Sequence, residues 1–151
     1  MKLGYSFKGG TENTAKAMGK EFRISPKHSE EICRFIKGKK VDEAKRLLTE
    51  VIELKTPVPM KRHNKKVAHR KGKFKWHAGR FPRKAASHIL RLIESAEANA
   101  IYKGLDRDRL FIKHAATHRG RIIRGFKPRA YGRATPWNTH TSNIEIVLEE
   151  R

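Results

Sequence analysis

The sequence predicts an α+β fold in which three helices pack on a small antiparallel sheet and a long β-hairpin protrudes. Three observations support this prediction. Apolar residues recur at helical spacing in three segments. Two runs with strand character, residues 110–112 and 144–148, lie near the C-terminus. Between them lie about thirty residues that are rich in basic side chains, are interrupted by glycines and have no helical stripe. Antiparallel pairing of the two runs would therefore create a long ribbon.

The N-terminal end of the chain has little periodicity. We expect residues 1–20 to form an irregular arm, and residues 21–24, which alternate polar and apolar, permit a short edge strand. Ser25 and Pro26 predict the start of the first helix, because serine can cap free amides and proline fits the first helical position. Gly38 is expected to end this helix in a left-handed cap. One face of this helix is predicted to carry His28, Ile32, Phe35 and Ile36.

Two further helices are predicted. The second follows almost at once and ends at Thr56 and Pro57, and the third starts at Pro82 and runs for about four turns before Gly104. Asp42 and Glu43 lie in the first turn of the second helix, where negative charge is favourable. The apolar stripes are Val41, Ala44, Leu47, Leu48 and Val51 in the second helix, and Ala85, Ile89, Leu92, Ile93, Ala96 and Ala100 in the third.

The remaining segments complete one domain over residues 21–151. Residues 55–81 lose all periodicity and are predicted to be a basic insertion, and residues 113–143 an extended hairpin. Arms of 15–18 residues would extend roughly 50–60 Å at about 3.3 Å per residue. A two-stranded ribbon of that kind is marginal in water, so we expect its distal part to become ordered only against a partner.

The positive charge of the chain is concentrated in two segments. The 36 Lys and Arg residues outnumber 15 Asp and Glu, which gives a formal charge of +21. Residues 54–93 hold thirteen basic residues and no carboxylate, and residues 109–144 hold eight and none. The rest of the chain is balanced. Basic residues that served only solubility would not be segregated in this way, so a polyanionic partner is predicted.

Other classes of protein find little support in the sequence. The one cysteine, Cys33, allows no internal disulfide, suits a reducing cytosol and is predicted to be a buried apolar side chain. No apolar run approaches the roughly 18–20 residues of a membrane span, and the N-terminus does not resemble a signal peptide. His63, His69 and His77 share a segment without paired cysteines, so no metal site is predicted. Asp106 and Asp108 are predicted to form a turn before the strand at residues 110–112, in preference to a magnesium site or a hydrolytic pair.

Catalysis has almost no support, because the sequence contains neither a phosphate-binding glycine loop nor a nucleophile elbow; we expect no cofactor and no enzyme. RNA binding through phosphate contacts and aromatic stacking is the preferred function. An architectural DNA-binding protein and an RNA-modifying enzyme are the alternatives. The candidate RNA-binding residues are Lys61, Arg62, Lys65, Lys66, Arg70, Lys71, Lys73, Lys75, Trp76, Arg80, Arg83, Lys84, Arg119, Arg121, Arg124, Lys127, Arg129, Tyr131, Arg133 and Trp137.

Two simpler interpretations are weighed against this list. The basic run at residues 61–75 could be a solvated loop, although so dense a run without carboxylates disfavours ordering in the absence of counterions. Phe74, Trp76 and Phe81 could pack beneath the loop as readily as they could stack on bases.

Several motifs resemble one known family. The most specific is Pro128-Arg129-Ala130-Tyr131-Gly132-Arg133-Ala134, followed by the strand at residues 144–148. The resemblance, which runs from about residue 12 to the end, is to the L-twenty-two family of large-subunit ribosomal proteins in its archaeal and eukaryotic form. The other matching segments are residues 24–28, 36–39 followed by Ala44, 56–59, 79–84, 96–100 and 103–106.

The resemblance implies a body on the outer face of the large subunit of a cytoplasmic ribosome, and a hairpin that passes through 23S-type ribosomal RNA to line the peptide exit tunnel. The implied roles are RNA binding and support of subunit assembly. The implied partners are that RNA, neighbouring large-subunit proteins including ribosomal protein L-four near the hairpin tip, and transiently the nascent polypeptide. By position the tip falls within residues 124–133, with Arg124, Gly125, Phe126, Lys127, Pro128 and Arg129 as its predicted residues.

Overall fold

The computed structural model describes residues 4–10, 13–72 and 74–151, and in them it shows the predicted α+β fold. Three helices pack against a three-stranded antiparallel sheet, and the described residues also form two short two-stranded sheets. The helices are α1 (Pro26–Ile36), α2 (Val41–Ile52) and α3 (Arg83–Tyr102); the strands are β1 (Thr14–Phe22), β2 (Val58–Pro59), β3 (Gly79–Arg80), β4 (Leu110–Ile123), β5 (Phe126–Pro128), β6 (Ala134–Pro136) and β7 (Thr139–Glu150).

The main sheet has the order β1-β7-β4, with β7 at its centre. Ile144, Ile146 and Leu148 of β7 point toward the helices and are fully buried, as their alternation in the sequence predicts. On the edge strand, Ala15 and Ala17 pair with Leu148 and Ile146. These small side chains let α3, itself rich in alanine, approach β1 closely.

The three predicted helices are confirmed, and so are the apolar stripes of α2 and α3, whose members are all buried. Gly38 ends α1 with a left-handed φ of +82° and donates its N–H to the Ile112 carbonyl at 2.8 Å. The Ser25 side chain caps no amide of α1, in contrast to the prediction. Cys33 is buried in the apolar core, as predicted, and burial raises the pKa of its thiol to about 11, so the thiol stays protonated at neutral pH.

The prediction of an irregular arm over residues 1–20 was wrong for its second half. A nine-residue strand, β1, begins at Thr14 and pairs with β7. Alanine and glycine have low intrinsic strand propensity, and the strand is stabilised by hydrogen bonds to β7, which local periodicity does not reveal. Residues 4–10, here called the N-terminal segment, lie over the outer face of the sheet, where the Ser6 N–H donates to the Glu145 carboxylate at 2.8 Å.

The predicted hairpin is present and is built in two sections. Strands β4 and β7 pair from Leu110 with Glu150 to Ile123 with Thr139, and β5 and β6 continue the ribbon. The turn spans residues 129–133, because Tyr131 and Gly132 adopt positive φ values of 58° and 66°. The turn therefore falls in the second half of the range 124–133 in which the tip was predicted. Of the six residues named for the tip, Arg129 begins the turn, Arg124 and Gly125 occupy the junction between the two sections, and Phe126–Pro128 form β5 in one arm of the ribbon.

About half of the hairpin rests on the body. Residues 110–117 of β4 face α1 or the N-terminal segment, whereas nearly every residue from 121 to 140 is exposed. We call residues 121–140 the distal hairpin. Its arms of about ten residues reach roughly 30 Å beyond the body, a shorter overhang than the predicted 50–60 Å. The difference arises because the body covers the strands where they begin.

The basic insertion is more ordered than a loop. Strands β2 and β3 pair within it, and Val58, Met60 and Ala78 are buried. Residues 60–78 leave the body and return to it where Met60 donates its N–H to the Ala78 carbonyl, and hydrogen bonds from the Arg62 and His63 N–H groups to Glu31 hold them against α1.

Candidate nucleic-acid interface

Three adjoining surface depressions form one continuous groove along the insertion, the starts of α1 and α3, and the base of the distal hairpin. His28 lines all three, and Ser25, Arg80 and Pro82 each line two. We call this surface the basic groove. The lysine and arginine residues that line it are Arg23, Lys27, Arg62, Lys65, Lys66, Arg70, Arg80, Arg83 and Lys84.

Local structure explains why these side chains meet. Helix α1 begins at Pro26 just after β1, and α3 begins at Arg83 directly after β3, so both helices start at the same edge of the body. The pairing of β2 with β3 brings Arg80 to that edge, where its guanidinium donates to the Lys66 carbonyl at 3.3 Å. The N-terminal ends of the two helices add positive potential to that of the side chains.

The groove is positive throughout. Among the residues that the structure describes, no carboxylate lines any of its three parts. Burial lowers the pKa of His28, and the neighbouring Arg80 and His63 lower it further. His28 is therefore neutral at neutral pH, as expected of an imidazole held among cations.

Two glutamates of α1, which sequence reasoning missed, hold the insertion in place. Glu31 is 1% exposed, and its Oε1 accepts the backbone N–H groups of Arg62 at 2.6 Å and His63 at 2.8 Å. Glu30 contacts the Arg62 guanidinium at 2.6 Å and His63 Nε2 at 2.9 Å. The hydrogen bond from His63 is the largest cause that lowers the pKa of Glu30. Arg62 is therefore partly neutralised by the body, whereas the described residues show no ion pair for the other lysines and arginines of the groove.

The structure distinguishes among the aromatic residues of the insertion. The Trp76 Nε1–H donates to the Met60 carbonyl at 2.9 Å, and the Phe74 ring meets Phe35 edge-on with centroids 4.7 Å apart. The hydrogen bond favours the packing interpretation for Trp76. Phe74 is 40% exposed, so its contact with Phe35 leaves part of the ring open to solvent. Phe81 lines the groove beneath Arg70, whose guanidinium carbon lies 5.2 Å from the ring centroid.

The distal hairpin is the second basic surface, and its sequence contains no carboxylate. At its base, Arg121 lies 3.7 Å from Glu21, the one ion pair that the described residues show for the distal hairpin. Tyr131 at the turn is 94% exposed, and Phe126 is also largely exposed. The other basic side chains beyond the body are exposed as well: Arg124, Lys127, Arg129 and Arg133.

The remaining candidates lie outside the groove. Arg119 is exposed where the hairpin leaves the body, and Lys71 and Lys75 are exposed on the insertion. Lys61 lies over the Trp76 ring, 6.0 Å from its centroid, on another side of the insertion. Lys73 falls outside the described residues.

Sequence reasoning overlooked Arg23 and Lys27 as binding candidates. Both line the groove beside Ser25 and Pro26, the residues that predicted the start of α1. Their proximity to a helix N-terminus was the signal that could have identified them, because such ends favour anions.

The three histidines of the insertion serve separate contacts. His63 pairs with Glu30, and the rings of His69 and His77 meet edge-on with centroids 5.8 Å apart. Within the described ranges, no three His, Cys, Asp or Glu side chains gather as a metal site would require. None of the helices in the described parts of the chain is both long and apolar enough to cross a membrane.

An α+β body with a basic groove and a projecting basic ribbon is typical of a nucleic-acid-binding protein. The family whose sequence model matches residues 17–149 is described as ribosomal protein L22p/L17e. The chain is 60% identical to the large ribosomal subunit protein uL22 of Methanopyrus kandleri, over 93% of this chain and 89% of that protein. It is 51% identical to the protein of the same name from Archaeoglobus fulgidus, over 99% and 97%.

The chain therefore belongs to the ribosomal protein L22p/L17e family, as the resemblance predicted. It is a ribosomal protein and not an enzyme. The alternative of an RNA-modifying enzyme is thereby excluded.

Proposed function

We propose that this protein is a structural constituent of the large subunit of the cytoplasmic ribosome, where it binds 23S-type ribosomal RNA and supports assembly. The observation that carries the proposal is a single groove in which cations of residues 23–27 meet those of residues 62–84, and from whose end the exposed distal hairpin projects. The names of the relatives, which are large-subunit proteins, support the same conclusion.

Phosphate contacts would supply most of the affinity. The nine lysines and arginines of the groove, together with those of the distal hairpin, offer enough charge to neutralise about ten phosphates. The logarithm of the RNA affinity should then fall with the logarithm of salt concentration with a slope of magnitude about 7–9. A slope near zero in a filter-binding titration would contradict phosphate binding by these residues.

The distal hairpin has the form required to pass between RNA helices. It is two strands wide, free of carboxylates and roughly 30 Å long beyond the body. On this basis we propose that it runs inward to line the peptide exit tunnel. Its turn at residues 129–133 would then meet ribosomal protein L-four, neighbouring large-subunit proteins and, transiently, the nascent chain.

The assembly role can be tested by reversing two charges on the turn. A double variant with Arg129→Glu and Arg133→Glu should reduce incorporation into large subunits, measured by sedimentation of tagged protein, because two phosphate contacts become repulsions. The matched control carries Lys37→Glu and Arg46→Glu, the same charge change at exposed positions of the body outside the groove. Equal incorporation of the two double variants would show that the hairpin is not an RNA anchor.

The tunnel placement has its own test. A photo-cross-linking amino acid at Tyr131 should capture nascent chains and ribosomal protein L-four in translating ribosomes. The same group at Tyr102, which is 93% exposed on the body, should capture neither. Capture from Tyr102 but not from Tyr131 would place the hairpin outside the tunnel.

Affinity measurements distinguish RNA binding from the remaining alternative, an architectural DNA-binding protein. Structured RNA and duplex DNA of equal charge should be compared at the same salt concentration. We expect tighter binding to RNA, because a single ribbon threaded between helices needs a folded nucleic acid. Equal affinity would favour the DNA-binding alternative.

A further inference from the structure

We propose that the end of the basic groove beneath Trp137 binds a single unpaired nucleotide of RNA, with its base stacked on the Trp137 ring and its phosphate held by Arg83 and Lys84. This inference rests on the proposed RNA-binding function and specifies the chemical form of RNA that one part of the groove recognises.

The shape and lining of this part of the groove suit one nucleotide. It is an open depression of about 550 Å³, comparable in volume with the roughly 300–1,000 Å³ of pockets for single small ligands. Trp137, Asn138 and His140 line it from the hairpin base. Arg23, Arg83 and Lys84 line it from the body, so an aromatic surface, polar groups and cations face the same space.

The backbone fixes the position of Trp137. This residue lies between β6 and β7, and its N–H donates to the Gly125 carbonyl at 2.6 Å. A Cβ at Gly125 would lie 2.9 Å from the Trp137 carbonyl oxygen. The two arms of the hairpin therefore approach each other here more closely than a side chain at position 125 would allow. The ring is thus held at the mouth of the groove by the hairpin itself.

The Trp137 ring has the exposure of a binding surface. It is 63% exposed, although tryptophan is among the side chains that bury most apolar area when packed. Lys127, which does not line the groove, places its ammonium 5.2 Å from the ring centroid. The other tryptophan, Trp76, is fixed by a hydrogen bond to a backbone carbonyl. Trp137 is therefore the tryptophan available to a ligand.

An aromatic ring in such a pocket selects unpaired bases. In a duplex each base stacks on its neighbours, so an amino-acid ring can stack only on a base that has left the helix. Asn138 and His140 supply hydrogen-bonding groups for the edge of that base, which lacks its pairing partner. The cations alone would suit any phosphate; the ring adds the preference for an exposed base.

The test compares two RNA hairpins that differ in one nucleotide. One carries a single bulged 2-aminopurine, whose fluorescence is quenched by stacking, and the other is fully paired. Full-length protein should bind the bulged RNA more tightly and quench the probe. Trp137→Leu should weaken binding to the bulged RNA by roughly 5- to 100-fold and abolish the additional quenching, and Trp137→Phe should retain much of both. Tyr102→Leu, which removes another exposed aromatic residue outside the groove, should change neither.

The outcomes separate this inference from the function on which it rests. If Trp137→Leu binds both RNAs as the unmodified protein does, with the same quenching, RNA binding stands and the nucleotide pocket is refuted. If the unmodified protein binds neither RNA at low salt, the proposed function itself fails. If an acidic peptide displaces the bulged 2-aminopurine and itself requires Trp137, the pocket is a protein-docking site and the inference is overturned.

Discussion

The two ends of strand β4 show how differently the body and the distal hairpin are stabilised. Ile112 is 0% exposed and packs in the core, whereas Ile122, ten residues further along the same strand, is 49% exposed. Both pair with β7, so the backbone hydrogen bonds of the ladder continue while the apolar support ends. Hydrogen bonds alone contribute modest net stability, and the distal hairpin therefore depends on a partner.

The body and the distal hairpin also differ in how their positive charges are compensated. In the body, outside the basic groove, Glu97 joins α3 to Lys45 of α2 and to the Arg107 guanidinium at 2.8 Å, so carboxylates of the body compensate some of its cations. The distal hairpin has basic residues but no carboxylate of its own. The distal hairpin therefore requires an anionic partner, whereas the helices and the main sheet of the body pack on their own apolar core.

The largest predicted effect contrasts two identical substitutions on β4. Ile112→Ala should destabilise the protein by about 2–5 kcal/mol, because it leaves a cavity in the core. Ile122→Ala should change the free energy of unfolding by no more than about 0.5 kcal/mol. Chemical denaturation followed by circular dichroism measures both. Similar losses from the two variants would show that the distal hairpin belongs to the cooperative unit of the body.

A smaller effect is expected at Glu145, which is 1% exposed beneath the N-terminal segment. Its carboxylate accepts hydrogen bonds from Ser6, and His114 Nε2 lies 3.0 Å away. Glu145→Gln would turn an amide NH₂ toward these donors, at a cost of about 1–3 kcal/mol in the free energy of unfolding. Glu149→Gln, on the same strand at the more exposed end of the sheet, should cost less.

The pH dependence of stability provides a second measurement at Glu145. Burial alone would raise the pKa of this carboxyl, but hydrogen bonds from Ser6, His114 and His118 outweigh burial and leave it below its ordinary value of 4.5. The folded state therefore favours the ionised form. This contribution is present above the unfolded pKa and is lost as the pH falls through the folded pKa. Glu145→Gln should flatten the loss of stability below about pH 4.5; an unchanged acid profile would contradict this role.

The smallest effect compares two glycines with the same backbone strain. Gly38 ends α1 with φ +82°, Gly132 lies in the hairpin turn with φ +66°, and a Cβ would meet open space at both. Alanine should cost on the order of 1 kcal/mol at either position, because the left-handed conformation disfavours a side chain. Global unfolding should register the loss only for Gly38→Ala, and hydrogen exchange of the turn should register it for Gly132→Ala. A comparable global loss for both would erase the distinction between the regions.

Much of the fold could be predicted because it depends on local patterns. The stripe of α2, the alternation in β7 and the glycine after α1 each reflect residues a few positions apart, and each was confirmed. Strand β1 was missed because its alanines and glycine have little strand propensity of their own. The hairpin tip was predicted only to within residues 124–133, because its turn places Tyr131 beside Gly132 in left-handed backbone, a conformation rare for tyrosine.

The candidate site was predictable in composition but not in shape. The sequence by itself determined where the positive charge lies and which segments form helices and strands. Only the tertiary structure decided that Arg23, Arg80 and Lys84 share one groove around His28 and that Glu31 anchors the insertion. It also decided that the Trp137 ring is exposed, whereas Trp76 is hydrogen-bonded to the Met60 carbonyl. The physical reason is range: helical stripes, strand alternation and charge runs involve neighbours in the chain, whereas a groove is made by distant segments that meet only once the core has packed.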